Sequence, residues 1–285
     1  MIRLVVDKQG VLNVEQWATP PIVYLDHWAL RKLSEDHNLS SRFATGLRVR
    51  NGTLALSWLN LVEFAKVTSA EQAREAESFL DSNLPRLFFM EVEPFSVISR
   101  ENALLVGGPG APPPADLGFL KVFAQLRPQS PKPLTAHDLF TIMQNRRVAR
   151  GLEGLGDKVV SRISSLRDEH GTNPAFRSAV ARLPAVQKVQ KATRFLLPEL
   201  VRTLLIDRRT KVSRNHAIDL MHAVVPVAYC DLVLLDKHWE TQVERVRLRL
   251  NKAGISAPIA KIFSGKANGI DRFLYELAGD AEVAS

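Results

Sequence analysis

Cysteine is almost missing from this sequence, since Cys230 is the only one among 285 residues. One thiol cannot form a disulfide within the chain, which excludes a fold held together by internal disulfides. With one cysteine and scattered histidines, the sequence also lacks the ligand spacing that is typical of a structural zinc site. Cys230 stands just before the apolar segment LVLL, where a small buried side chain is its ordinary role.

Long apolar runs and short ligand-binding motifs are missing too. No segment approaches the roughly 20 apolar residues that a membrane-spanning helix needs. The N-terminal segment MIRLVVDKQG has charged and polar residues where a signal peptide has its apolar core. We therefore expect a cytoplasmic protein with no membrane partner. The glycine-rich stretch GGPGA is not followed by the Lys-Ser/Thr of a phosphate loop.

Positive charge, in contrast, is abundant and uneven. The chain has 38 Lys and Arg against 30 Asp and Glu, which gives a net charge of +8 and a pI near 9.8. Residues 141–214 alone carry 16 of the basic side chains and six of the acidic ones. A segment of this kind predicts a surface that binds phosphates, although exposed helix faces commonly carry Lys and Arg as well.

Apolar, β-rich segments alternate with helical patterns toward both ends of the chain. This alternation predicts an α/β fold with a mostly parallel sheet flanked by helices. We expect one domain over residues 1–285, with core segments 20–93 and 212–270 and a long, mostly helical and basic insertion at 94–211. The predicted strands of the sheet are Ile22–Leu25, Thr53–Trp58, Leu87–Val92, Leu232–Leu235 and Ile259–Phe263.

Turn-forming residues predict two further connections. The segments MIRLVV and VLNV flank Lys8-Gln9-Gly10, an order that is typical of a β-hairpin. The stretch GGPGAPPP at Gly107–Pro114 predicts a loop, because regular structure does not tolerate so much Gly and Pro.

Four acidic residues stand beside the predicted strands. Asp26 ends the first strand, Glu63 lies on the helix after the second, and Asp236 follows the strand LVLL. Asp219 lies on the helix that leads into that last strand. Ligands of a parallel sheet bind beyond the carboxyl ends of its strands, so these acids would meet in one cleft. Carboxylates at close range need a cation, and Mg²⁺ or Mn²⁺ suits oxygen ligands.

Each acid also has an ordinary structural interpretation. Asp26 and Asp219 could cap helices, and Glu63 could lie on a solvated helix face. Asp231 is the alternative to Asp236 at the cleft. Five residues at about 3.3 Å each place Asp231 about 16 Å from Asp236, at the opposite end of a regular strand. We therefore expect Asp236, and not Asp231, at the cleft.

Three histidines, His27, His222 and His238, each lie within three residues of one of these acids. His222 follows Asp219 by one helical turn, on a similar face. Roles as a metal ligand, a phosphate donor or a general acid stay open for all three. Ordinary helix packing or a surface position is the simpler interpretation, and we favour it for each of them.

The order of the acids resembles that of the PIN-domain family of metal-dependent nucleases, which includes the toxin ribonucleases of toxin–antitoxin pairs. In that family an Asp closes the first strand, a Glu follows the second, an Asp opens a later helix and another Asp follows the next strand. The resemblance covers residues 22–92 and 213–263. The matching segments are YLDHWAL with Asp26, LALSWLNLVEF with Glu63, NHAIDLMHA with Asp219 and DLVLLDKHW with Asp236.

Two places depart from the family pattern. Trp28 stands where the family usually has a small polar residue, and Leu234 and Leu235 stand where it often has Thr or Ser. These departures motivate an alternative function, a catalytically inactive PIN-like module that binds RNA or a protein. Trp28 also argues against a small-molecule phosphatase, in which a second carboxylate usually follows the first Asp by two positions.

The resemblance implies a PIN-like fold and an endoribonuclease that hydrolyses phosphodiester bonds with Mg²⁺ or Mn²⁺ as cofactor. It implies RNA as the partner, with DNA less favoured. A toxin role would bring an antitoxin or another protein as a partner, and a homodimer stays open. Glu63 would be a metal ligand or the base for the attacking water. The implied metal-binding and catalytic residues are Asp26, Glu63, Asp219 and Asp236.

Overall fold

The computed structural model describes residues 1–6, 12–66, 69–103, 111–126, 134–144, 146–184, 192–206 and 211–279. Its strands are β1 (Ile2–Val6), β2 (Leu12–Gln16), β3 (Ile22–Leu25), β4 (Thr53–Leu56), β5 (Leu87–Phe89), β6 (Leu232–Leu234) and β7 (Lys261–Phe263). Its α-helices are α1 (His27–Ser34), α2 (His37–Val49), α3 (Trp58–Phe64), α4 (Ala70–Asn83), α5 (Pro94–Asn102), α6 (Leu117–Leu126), α7 (Ala136–Met143), α8 (Arg146–His170), α9 (Pro174–Ala181), α10 (Ala192–Ile206), α11 (Arg214–Tyr229), α12 (Lys237–Lys252) and α13 (Gly269–Ala278).

The central sheet has five parallel strands in the order β5-β4-β3-β6-β7. In the middle strand, Tyr24 is in register with Ala55 of β4 and Val233 of β6. Every residue of β3, β4 and β6 is buried, as expected for strands that helices cover on both faces. The predicted α/β fold with a parallel sheet flanked by helices is therefore confirmed.

The parallel arrangement brings the carboxyl ends of the five strands to one side of the sheet, which we call the carboxyl edge. Two backbone hydrogen bonds continue the pairing there, from Asp26 N to Leu234 O at 3.0 Å and from Leu235 N to Phe263 O at 2.9 Å. The residues that follow β3 and β6 therefore leave the sheet from neighbouring positions.

The predicted strand Thr53–Trp58 is too long, because β4 ends at Leu56 and α3 begins at Trp58. Ser57 caps α3: its Oγ accepts a hydrogen bond from Asn60 N, and Asn60 Oδ1 accepts one from Ser57 N. This capping box satisfies backbone donors at the start of the helix, so the chain turns out of the sheet here. The structure also shortens the strands predicted at Leu87–Val92, Leu232–Leu235 and Ile259–Phe263.

The predicted hairpin and insertion can be followed where the structure describes them. β1 and β2 pair in antiparallel fashion, while the turn predicted at Lys8-Gln9-Gly10 lies outside the described residues. So do residues 107–110 of the predicted loop. The described parts of 94–211 are mostly helical, as predicted, and their apolar side chains join the same hydrophobic core as the sheet. Among the described helices, none is long and apolar enough to cross a membrane.

Candidate metal centre

Two of the four predicted acids follow strands of the sheet and cap helices. Asp26 comes directly after β3 and caps α1, with Oδ1 accepting the backbone N–H of His27 at 2.7 Å. Asp236 comes after β6 and caps α12, with Oδ1 accepting the backbone N–H of Trp239 at 2.8 Å. Asp219 is no cap, because it lies inside α11, whose N-cap is Ser213. The cap interpretation is confirmed for Asp26 and wrong for Asp219.

A capping role is compatible with a role in a binding site. The cap uses one oxygen of the carboxylate and holds the group in place, and a carboxylate has a second oxygen that can bind a cation. Asp26 is 8% exposed and lies at the carboxyl edge, so its position is set by the end of the strand and the start of the helix together.

Glu63, near the end of α3, lies beside two imidazole rings. Its Oε2 is 3.3 Å from Nε2 of His222 and 3.4 Å from Nδ1 of His27. Even so, Glu63 Oε2 and His222 Nε2 are both buried without a hydrogen-bond partner among the described residues. An unsatisfied buried polar group costs about 1–3 kcal/mol. A cation or a proton between these two atoms would satisfy both of them.

His222 is the residue of this cluster that the sequence interpretation missed. Its side chain is 2% exposed, and its Nδ1 lies 2.5 Å from the hydroxyl oxygen of Tyr24 on β3. Ordinary helix packing does not describe this position, because the ring connects Tyr24 with Glu63. The available signal was the spacing of one helical turn between Asp219 and His222, which directs both side chains to a similar face of α11.

The other two histidines differ from each other. Nδ1 of His27 lies 3.1 Å from Asp26 Oδ1, and this hydrogen bond raises the pKa of His27 although burial opposes the shift. His238 is exposed, and its ring stands edge-on to that of Trp239 with the centroids 5.5 Å apart. The predicted surface position is therefore confirmed for His238. His27 instead lies beside Asp26 and Glu63, and with His222 these residues form what we call the acidic cluster.

The neighbouring histidines lower the pKa values of Asp26 and Glu63. Burial acts to raise the pKa of Asp26, but the hydrogen bond with His27 and the charge of His222 bring it below its ordinary value. Burial also acts to raise the pKa of Glu63, and the nearby imidazoles of His222 and His27 lower it overall. Both side chains are therefore carboxylates at neutral pH, the form that binds a cation.

The pKa of Asp219 shifts in the opposite direction, upward. Its pKa is raised to about 6, first by burial and then by the nearby carboxylates of Asp26, Asp236 and Glu63, with the charge of His222 opposing them. Asp219 therefore lies close enough to the other three predicted acids to be repelled by them. A bound cation would relieve this repulsion.

The structure brings together only some of the predicted site residues. Ligand atoms of Asp26, Glu63 and His222 all lie within 4.8 Å of one another, a spacing suited to one metal ion. Asp219 and Asp236 stand near this group without belonging to it. Two of the predicted acids therefore meet at a point that also includes a histidine, and the other two add negative charge from its surroundings.

Asp231 lies where the strand geometry predicts, at the other end of β6. Its Oδ2 accepts the backbone N–H of Ile22 at 2.6 Å, and its own N–H donates to the carbonyl of Ile22 at 2.8 Å. These bonds tie the amino ends of β3 and β6 together. Asp231 is therefore separated from the acids of the carboxyl edge by the length of the strand.

Models of protein families, curated proteins and solved structures give no match to this chain. The resemblance to PIN-domain nucleases therefore stays a prediction, and the function has to be argued from the chemistry of the site.

An open groove with a volume of about 770 Å³ adjoins the acidic cluster. His27 and Asp236 form part of its lining, which places the groove at the carboxyl edge. None of its cationic residues belongs to the basic segment 141–214 that the sequence singles out. The four cationic side chains that line it are Arg31, Lys32, Lys237 and Lys266.

Trp28, which departs from the family pattern, also lines this groove. Its indole ring packs against Gly265, where an added Cβ would lie 3.2 Å from two ring atoms. Gly265 therefore leaves room for an aromatic wall in a groove that is otherwise rich in positive charge. The indole Nε1 is buried and has no hydrogen-bond partner among the described residues.

Proposed function

We propose that this chain is a divalent-metal-dependent nuclease with a PIN-like fold, which hydrolyses phosphodiester bonds in RNA. The observation that carries the proposal is the meeting of Asp26, Glu63 and His222 within 4.8 Å, beside a groove with four cationic side chains. Buried carboxylates suit a divalent cation, and the groove suits the phosphates of a nucleic acid. A protein that binds both could cleave the phosphodiester next to the cation.

The residues fit a divalent ion on two counts. Glu63 Oε2 and His222 Nε2 are buried atoms that need a partner. Burial and then the nearby carboxylates raise the pKa of Asp219, and a cation would relieve the repulsion from those carboxylates. Asp26 and Glu63 would hold the ion, with Asp219 and Asp236 supplying further negative charge. Mg²⁺ or Mn²⁺ would supply Lewis-acid stabilisation of the charge that develops on the phosphate.

The chain's own residues would supply the remaining requirements of hydrolysis. The reaction adds one water, forms a P–O bond to it and breaks the P–O bond to the leaving ribose oxygen. Glu63, if it is not a ligand, would accept the proton of the attacking water. The cationic side chains of the groove would hold the phosphates beside the scissile bond. The choice of RNA over DNA rests on the family resemblance, as do a cytoplasmic location, an antitoxin or other protein partner and a homodimer.

The test is cleavage of a fluorescent RNA oligonucleotide by the purified full chain with Mg²⁺, with Mn²⁺ and with EDTA. We expect EDTA to abolish cleavage and Asp26→Asn to lower its rate about 100-fold or more, since the metal supplies several kcal/mol of transition-state stabilisation. Asn also caps helices well, so α1 should form in this variant.

Asp231→Asn is the matched control, because it makes the same substitution at the opposite end of the sheet. We expect its cleavage rate to stay within about twofold of that of the unmodified chain. An unchanged rate in Asp26→Asn, or an equal loss in both folded variants, would overturn the proposal.

The position of Trp28 in the wall of the groove favours a second candidate, a PIN-like module that binds RNA or a protein without cleaving. Calorimetric titration with Mn²⁺, followed by RNA binding measured in EDTA, separates the two candidates. RNA binding without any binding of divalent ions would support the inactive module.

A further inference from the structure

We propose that His222 binds the metal ion through Nε2 and that Tyr24 orients its ring, so that the site selects a transition-metal ion such as Mn²⁺ over Mg²⁺. The inference rests on the metal centre proposed above, and it adds a nitrogen ligand to a site that the sequence predicts as carboxylates alone. His222 Nε2 is deeply buried and lies 3.3 Å from Glu63 Oε2, and neither atom has a hydrogen-bond partner among the described residues.

A series of buried hydrogen bonds allows His222 to carry its hydrogen on Nδ1 and to offer Nε2 to a metal ion. At its far end, Asn60 Nδ2 donates to the carbonyl of Leu25 at 3.2 Å, and Asn60 Oδ1 accepts the backbone N–H of Ser57 at 3.0 Å. These two backbone partners determine the orientation of the Asn60 amide. Asn60 Oδ1 must then also accept from the Ser57 hydroxyl, 2.9 Å away, because a carbonyl oxygen has no hydrogen to donate.

The next contact in this series joins Ser57 to Tyr24. The only hydroxyl hydrogen of Ser57 points to Asn60, so Ser57 Oγ is the acceptor in its 3.5 Å contact with the Tyr24 hydroxyl. Tyr24 can therefore direct its only hydrogen to Ser57 Oγ, which leaves the tyrosine oxygen free to accept. When a metal ion occupies Nε2 of His222, Nδ1 carries the hydrogen and donates to Tyr24 across the 2.5 Å contact.

A neutral His222 with its hydrogen on Nδ1 has a lone pair on Nε2. This lone pair faces Glu63 Oε2, which is also an acceptor, at 3.3 Å. The arrangement is stable with a proton on Nε2, which would make an imidazolium–carboxylate pair, or with a metal ion bound to both atoms. A histidine that ligates a metal commonly donates its other N–H to a fixed oxygen, and Tyr24 provides that oxygen.

The span of the cluster favours the metal ion. Ligands bound at about 2.0–2.6 Å to one ion lie at most about 5 Å apart, and the ligand atoms of Asp26, Glu63 and His222 lie within 4.8 Å of one another. Mg²⁺ takes oxygen ligands, whereas imidazole suits transition-metal ions, among which Mn²⁺ binds nitrogen least strongly but also suits carboxylates. One histidine among the carboxylates therefore shifts the preference of the site from Mg²⁺ toward the transition series, and Mn²⁺ is the ion of that series that fits both ligand types.

The test is pulsed EPR of Mn²⁺ bound to the purified full chain. We expect nitrogen hyperfine coupling from a directly bound imidazole, which changes from the ¹⁴N to the ¹⁵N pattern when the histidines are labelled with ¹⁵N. His222→Gln should abolish this coupling and reduce the preference for Mn²⁺ over Mg²⁺ about tenfold. His238→Gln, on the protein surface, is the control and should retain the coupling. His27→Gln tests the other imidazole beside Asp26 and Glu63, and the coupling should persist there too, whatever the change in affinity.

Tyr24→Phe tests the positioning role without changing a ligand. Loss of the oxygen that accepts the Nδ1 hydrogen should weaken Mn²⁺ binding about threefold to tenfold, with a smaller effect on Mg²⁺. An equal loss for both ions would mean that Tyr24 only supports the fold of the site, and would overturn its positioning role.

The outcomes separate this inference from the proposed function. Bound Mn²⁺ without nitrogen coupling overturns the inference and leaves the metal-dependent nuclease standing, whereas a chain that binds no Mn²⁺ overturns both. Coupling that disappears in His27→Gln assigns the nitrogen to His27 instead. If His222→Gln does not fold, the ¹⁵N-labelled protein and the two other histidine variants decide the assignment.

Discussion

Glu63 and Glu101 are both acids with buried carboxylate oxygens, but their bonding differs. Glu101, on α5, is fully buried and accepts hydrogen bonds from the Tyr229 hydroxyl at 2.7 Å and from the backbone N–H groups of Thr193 and Arg194 at 3.1 and 3.0 Å. Glu63, at the carboxyl edge, has an Oε2 that is buried without any hydrogen-bond partner among the described residues. The first acid has strong donors on both oxygens, and the second needs a further group.

This difference separates a structural acid from a candidate ligand. Glu101 holds α5 of the insertion against α11 and the first turn of α10, where the free N–H groups and the helix dipole favour an anion. Burial of a charge is therefore a poor indicator of a functional site. Unmet bonding capacity is a better one where two such atoms face each other, as Glu63 Oε2 and His222 Nε2 do at 3.3 Å at the carboxyl edge.

The largest expected effects come from matched Glu→Gln substitutions at these two positions. Glu101→Gln turns an amide NH₂ toward one of the donors, so the free energy of unfolding should fall by about 2 kcal/mol. Its affinity for Mn²⁺ should stay within about twofold. Urea unfolding in EDTA and calorimetric titration with Mn²⁺ measure the two quantities.

Glu63→Gln should give the reverse result. The affinity for Mn²⁺ should fall about tenfold or more, because a carboxylate ligand is removed. The free energy of unfolding in EDTA should change by less than about 1 kcal/mol, since the substitution removes an attraction to His222 together with a repulsion from Asp26. If Glu101→Gln weakens Mn²⁺ binding as much as Glu63→Gln does, the distinction between the two acids fails.

Asp219→Asn should have an intermediate effect on stability, and the size of this effect depends on pH. The pKa of Asp219 is raised from 3.8 to about 6 in the folded protein, mainly by burial, so the unfolded chain loses this proton first as the pH rises. The contribution of Asp219 to stability in EDTA should therefore fall between about pH 4 and pH 6, by about 1 kcal/mol, because solvent screens this half-buried group. Asp219→Asn should remove this fall and be the more stable protein at pH 8.

Thermal unfolding of both proteins from pH 4 to pH 8 in EDTA measures this effect. Saturating Mn²⁺ is the control, because a bound cation should reduce the advantage of the variant by relieving the same repulsion. Parallel pH curves for the two proteins in EDTA would contradict the coupling of Asp219 to its neighbours.

The smallest expected effect is on RNA affinity, and it distinguishes binding at the groove from binding on the insertion. Lys32 and Lys266 are exposed and line the groove, so replacing both with Ala should weaken RNA binding. The slope of log affinity against log salt should decrease by about 0.7 for each phosphate that the variant no longer neutralises. The control replaces Lys121 and Lys158, two exposed lysines of the insertion, and removes the same charge. A larger decrease in affinity in the control would place the binding surface on the insertion.

The sheet was accessible to sequence reasoning because its signals are local. Short apolar runs flanked by helical patterns predict parallel strands, and the segments around Tyr24, Ala55 and Val233 form neighbouring strands. The strand ends were less accessible. Ser57 and Trp58 look like a continuation of β4, yet the reciprocal bonds between Ser57 and Asn60 start a helix there.

Only part of the candidate site could be predicted from the sequence. Asp26 and Glu63 can be predicted because they follow apolar strands whose carboxyl ends must meet in a parallel sheet. His222 cannot, because its one local signal, the spacing of one helical turn from Asp219, fits a packed histidine equally well. Its partner Tyr24 is 198 positions away in the chain.

By itself the sequence determined which acids follow the strands and that the chain forms a parallel sheet with helices around it. Both depend on patterns within a few residues. Only the tertiary structure decided which acids meet, which nitrogen of His222 faces Glu63, and that the cationic groove is built from both ends of the chain. Those features depend on hydrogen bonds and charges between distant segments, and they exist only when the segments are packed together.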